Sequence, residues 1–99
     1  MSMSTIEKLM TNNYKVLKLI YDNQVKMTNG SVFTPMTQVE IANQIGVSTI
    51  TMNAIFKEML EDDLLYKYGN KRGRYCLSEK AIYIITKIDE INQGIKEFY

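Results

Sequence analysis

Between Ile45 and Thr49 the chain has only Gly46-Val47-Ser48 in which to end one helix and begin another. Thr37 and Glu40 have the spacing of a capping box, where side chain and backbone satisfy each other's free groups at a helix start. The helix they open carries Val39, Ile41, Ala42 and Ile45 and stops at Gly46, which takes positive φ without a steric penalty. Ser48 then caps a second helix running to about Glu61, at the acidic run Glu61-Asp62-Asp63. Two helices joined this tightly must cross steeply and share a small corner. Ala42 is small enough for that corner, and Ile41, Ile45, Val47, Met52 and Ile55 supply the apolar faces around it.

The flanking segments follow the same local rules. Ser4 and Glu7 form an earlier capping-box pattern, and Tyr14, Leu17, Ile20 and Tyr21 repeat at helical spacing over about 14–24. Asn29-Gly30 is a turn signal, and the β-prone Ser31-Val32-Phe33-Thr34 ends at Pro35. Leu64 to Tyr68 reads as a strand with Leu64, Tyr66 and Tyr68 on one side. The loop Gly69-Asn70-Lys71-Arg72-Gly73 returns the chain into Arg74 to Leu77, completing a hairpin. Ser78 caps a last helix. The expected fold is mainly α with a small β-hairpin, in a single domain over 1–99. Its paired helices cover about 37–61, the hairpin about 64–77 and the C-terminal helix about 79–97.

The spacing Ile41-Ala42, Gly46-Val47-Ser48, Thr51-Met52 resembles the helix-turn-helix of prokaryotic DNA-binding proteins. With the hairpin behind it, the chain resembles the winged helix-turn-helix subclass, as in MarR-like and ArsR-like repressors. The resemblance implies a non-enzymatic module that binds double-stranded DNA. The same core could also serve a winged helix that makes only protein contacts.

Composition removes most other functions. The chain has no His and a single cysteine, Cys76. It therefore lacks the commonest general base, the commonest zinc ligand and any internal disulfide, which suits a reducing cytoplasm and argues against catalysis. No cofactor or metal is expected; the carboxylates Glu61-Asp62-Asp63 read as a solvated helix end. No apolar run reaches the roughly 20 residues that span a bilayer, and the N-terminus has no export signal, so no membrane partner is expected.

The net charge of +1 hides a division. Residues 38–63 carry one Lys against five acids, whereas residues 64–80 carry five Lys and Arg against one Glu. Lys67, Lys71, Arg72 and Arg74 make the wing the expected phosphate-binding element. The second helix of the motif should face DNA with Ser48, Thr49, Ile50, Asn53, Ala54 and Lys57. Asn53 suits adenine, and Ile50 or Thr49 suits a thymine methyl; no Arg is present to read guanine. The alternative is that Ile50, Ala54 and Phe56 are covered by a protein contact.

In the last helix Ala81, Ile84, Ile88, Ile91, Ile95 and Phe98 alternate spacings of three and four, as in a heptad seam. Ile82 and Ile85 lie on a neighbouring face. A helix apolar on two sides needs two surfaces, so a homodimer through Ile84, Ile88, Ile91 and Ile95 is expected. The Ile50-to-Ile55 run and Gly73-Arg74-Tyr75-Cys76-Leu77-Ser78 also resemble the TubR centromere-binding proteins of plasmids and phages. That resemblance implies a DNA-partition adaptor for a tubulin-like filament GTPase, one that also represses its own operon. The alternative role is a small MarR- or ArsR-like transcriptional repressor.

Overall fold

The capped corner forms as its residues dictate. In the computed structural model, which describes residues 11–69 and 72–98, helices α1 (Asn12–Asp22), α2 (Gln38–Ile45), α3 (Thr49–Glu61) and α4 (Glu79–Lys96) surround a small set of short strands. The early capping box at Ser4 and Glu7 lies outside the described residues. Thr37 Oγ1 accepts from the Glu40 N–H at 3.1 Å, and Glu40 Oε1 accepts from the Thr37 N–H at 3.3 Å, so α2 begins on a complete capping box. Gly46 takes the left-handed conformation, and its N–H donates to the Ala42 carbonyl at 2.8 Å. Ser48 Oγ accepts from the Thr51 N–H at 3.1 Å and starts α3.

Strands β1 (Val25–Lys26) and β2 (Val32–Phe33) pair antiparallel around the Asn29-Gly30 turn, and β3 (Leu65–Lys67) pairs with β4 (Tyr75–Leu77). Strand β1 is too short to show any hydrophobic period, and the sequence gives no sign of it. A bridge between Thr34 and Tyr75 joins the two hairpins. Thr34 is fully buried, and its hydroxyl donates to the Ile20 carbonyl near the end of α1. One threonine thus ties α1, the first hairpin and the wing together.

The core is a single cluster. Val16, Leu17 and Ile20 of α1, Ile41 and Ala42 of α2, and Met52, Ile55, Phe56 and Met59 of α3 meet Leu65, Leu77, Ala81 and Ile85. Phe56 is buried edge-on against Tyr75, with ring centroids 4.9 Å apart, so it belongs to the core and not to an outer protein contact. A buried ring of this size contributes about 1.5–3 kcal/mol.

The structure assigns these apolar residues to particular faces. In β3 the inward residue is Leu65, paired with Leu77, while Tyr66 is exposed. Alternation along a strand means that a one-residue shift reverses every side chain. Leu65 lies opposite Leu77 and is buried, while Leu64, just before the strand, is half-buried against the same core. In α2, Val39 is 54% exposed, because the core stripe runs through Ile41 and Ala42. In α4, Ala81 is fully buried beside Ile85 and belongs to the core, not to an exposed seam. Among the described residues no helix is long and apolar enough to cross a membrane.

Candidate nucleic-acid interface

Period alone sorts α3 into two stripes. Met52, Ile55, Phe56 and Met59 are buried, and Ile50, Asn53, Ala54 and Lys57 are exposed on the other side. Ser48 and Thr49 are exposed at the helix start, although the Ser48 hydroxyl is already engaged with Thr51. The expected recognition residues therefore share one solvated face. Ile50 is 82% exposed, unusual for a large aliphatic side chain placed on a folded helix.

The wing is brought to the same side. A groove of about 640 Å³ runs between the helix-turn-helix and the hairpin. Thr49 and Asn53 line it from α3, Lys67 and Arg72 from the wing, and Gln38 and Val39 from the start of α2. Both helices present their N-terminal turns to this region, where the helix dipole favours anions, with the Glu40 carboxylate already capping the start of α2 and Ser48 that of α3. Two cations, two helix starts and a neutral amide around one open groove make a surface suited to a phosphodiester strand. Gln38 and Val39 were not expected here. The sequence marks Val39 only as an apolar residue of the helix, and no charge or motif marks Gln38.

The described wing cations occupy different surroundings. Lys67 and Arg72 are exposed on the groove. Lys71 lies outside the described residues. Arg74 is half-buried and is not among the groove-lining residues; its guanidinium lies over the Phe33 ring, 5.1 Å from the centroid. Phe33 in turn stacks on Tyr68 at 4.5 Å, and the Tyr68 N–H donates to the Arg74 carbonyl at 2.9 Å. This stack fixes the base of the wing.

On the outer face of the hairpin, Tyr66 pairs across the strands with Cys76. Burial raises the Cys76 thiol above its ordinary value, against the opposing effect of its hydrogen bond with Tyr66. Its Sγ donates to the Val32 carbonyl at 3.3 Å. A protonated, covered thiol of this kind is structural rather than nucleophilic.

The expected dimer residues flank the buried face of α4 and are only partly open to solvent. Ile84, Ile88 and Ile95 are half-buried and Ile91 is 57% exposed. Tyr83 and Phe98 are exposed on the same helix and just beyond its end. Lys18 binds Asp89 at 3.2 Å and holds the middle of α4 against α1.

No family model and no curated protein matches the chain. Solved structures do. A variant of MepR from Staphylococcus aureus, bound to an oligodeoxyribonucleotide, is 19% identical with a TM-score of 0.71, over 94% of this chain and 66% of that one. MarR from the same organism, in complex with salicylate and kanamycin, is 16% identical with a TM-score of 0.67, over 92% and 57%. The transcriptional regulator MosR of M. tuberculosis, in complex with DNA, is 21% identical with a TM-score of 0.62, over 91% and 63%. The chain spans 57–66% of the length of these three proteins. What it shares with them is the winged helix-turn-helix fold.

Proposed function

We propose that the protein is a non-enzymatic, sequence-specific double-stranded-DNA-binding homodimer that acts in the cytoplasm as a small transcriptional repressor. The observation that carries this reading is the groove in which Thr49 and Asn53 of α3 face Lys67 and Arg72 of the wing. In this reading α3 enters the major groove while the wing cations hold the adjacent phosphates. The similar solved structures include transcription regulators, two of them described with DNA, which favours a repressor over a partition adaptor. In this reading the partly buried stripe of Ile84, Ile88, Ile91 and Ile95, most open at Ile91, supplies the second-copy contact. A twofold pair can set two recognition helices about 34 Å apart, one turn of duplex.

Nuclease footprinting on DNA from the protein's own locus tests the role. A single short palindrome is the expected result. A long array of direct repeats would return the assignment to a partition complex working with a filament GTPase. Titration at increasing salt tests the mode. Affinity should fall by about 10³–10⁵ between 50 and 200 mM salt if 6–10 phosphates are neutralised.

A further inference from the structure

The exposed stripe of α3 is unusual in being nearly uncharged. Ile50 and Ala54 are apolar, Asn53 is neutral, and Lys57 lies two turns beyond Ile50. A side chain such as Ile50, 82% exposed, gains nothing from solvent and needs an apolar partner when the face is covered. The surroundings are not those of an apolar protein contact. Thr49 and Asn53 are set directly against a groove rimmed by Lys67 and Arg72, which complements a polyanion. On the major-groove edge of a duplex, thymine alone among the bases offers an apolar group, its C5 methyl. Guanine is read best by a guanidinium or ammonium, and the first two turns of α3 contain neither. The Asn53 carboxamide has the donor and acceptor that match adenine N6 and N7.

We infer that α3 selects its site by packing Ile50 and Ala54 on thymine methyl groups beside an adenine held by Asn53, so that the preferred duplex is rich in A·T pairs at the contacted steps. This inference rests on the DNA-binding reading and names the chemistry of its target. Ile50 is then the residue that sets specificity, while Lys67 and Arg72 set affinity for any sequence.

The experiment starts from a randomised duplex pool, selected at low salt on the full-length protein. Each thymine of the winning sequence is then replaced by deoxyuridine, which removes only the methyl. Loss of about fourfold in affinity per contacted methyl is expected, the equivalent of one buried carbon. Ile50→Ser, a change at the surface that leaves the core untouched, should bind equally the duplexes with and without the methyl at the step under Ile50, while keeping the preference at the step under Ala54. Lys67→Gln should weaken both by the same factor. A selected sequence dominated by G·C pairs, or deoxyuridine scanning without effect, overturns the methyl reading and leaves DNA binding standing. So does an Ile50→Ser variant that changes oligomeric state while keeping its thymine preference at the step under Ile50. Absence of salt-sensitive binding to any member of the pool overturns the proposed function and this inference with it.

Discussion

Gly73 of the wing packs directly on Thr37, the N-cap of α2: a Cβ at position 73 would lie 2.8 Å from Thr37 Cγ2. Gly73 also has φ +71°, in the left-handed region where a side chain costs about 1–2 kcal/mol. The wing is therefore seated on the helix-turn-helix by a contact that only glycine allows. Gly73→Ala should destabilise the fold by about 2–3 kcal/mol, combining backbone strain with overpacking. Thr37→Ser keeps the capping oxygen and removes the methyl that the new Cβ would strike. In that background Gly73→Ala should cost only the backbone strain, leaving a coupling of about 1 kcal/mol in a denaturant double-mutant cycle. Additive costs would show that the contact does not seat the wing.

Arg72 and Arg74 are neighbours in sequence with different surroundings. Arg72 is exposed on the groove, while Arg74 rests on Phe33. Arg72→Gln should leave stability within about 0.5 kcal/mol and reduce the salt dependence of DNA binding by about one phosphate, a change of roughly 0.9 in slope. Arg74→Gln should instead cost about 0.5–1 kcal/mol in unfolding free energy, through loss of the cation–π contact. Thermal unfolding and salt titration of the two variants separate the roles, and identical behaviour would contradict the division.

Much of this arrangement was legible in the chain because it is local. Thr37, Gly46, Ser48 and Ser78 act through the backbone within a few residues of themselves, so their spacing reveals the helix boundaries. The exposed stripe of α3 follows from period alone. The parts that were not legible depend on contacts distant in sequence. Leu65 is buried because Leu77 lies opposite. Val39 reaches the groove because the wing folds over the start of α2. Arg74 is occupied by Phe33, about forty positions earlier, and no pattern within the wing records that partner.

Thr34 tests the junction between hairpins. Its N–H donates to the Tyr75 carbonyl at 2.7 Å and its carbonyl accepts from the Tyr75 N–H at 3.1 Å, while its hydroxyl reaches the Ile20 carbonyl. Thr34→Val preserves shape and both backbone bonds but removes the hydroxyl. The Ile20 carbonyl keeps a weaker bond from the Asn23 N–H at 3.3 Å, so the cost should be about 1 kcal/mol. For a domain of this size that lowers Tm by about 4–8 °C. An unchanged Tm would show that the hydroxyl does not tie α1 to the wing.

Lys18 gives the fold a dependence on alkaline pH. Burial alone would lower its pKa, but hydrogen bonds to Asp89 and Asp22, together with their charges, outweigh it and the pKa is raised. Both carboxylates lie 3.2 Å from Nζ. A raised folded-state pKa means that the contribution is fully present below the ordinary lysine value of 10.5. It is lost as pH climbs through the higher folded-state value. Stability from this group should therefore be flat around neutrality and fall only in strong alkali. The partly exposed pairs are worth about 0.2–1 kcal/mol, so Lys18→Met should lower the neutral plateau by no more than that and reduce the alkaline decline. Urea unfolding followed across the alkaline range measures both. An alkaline decline of equal depth in the variant would mean that another group is responsible, and that α1 and α4 are held together by their apolar contacts alone.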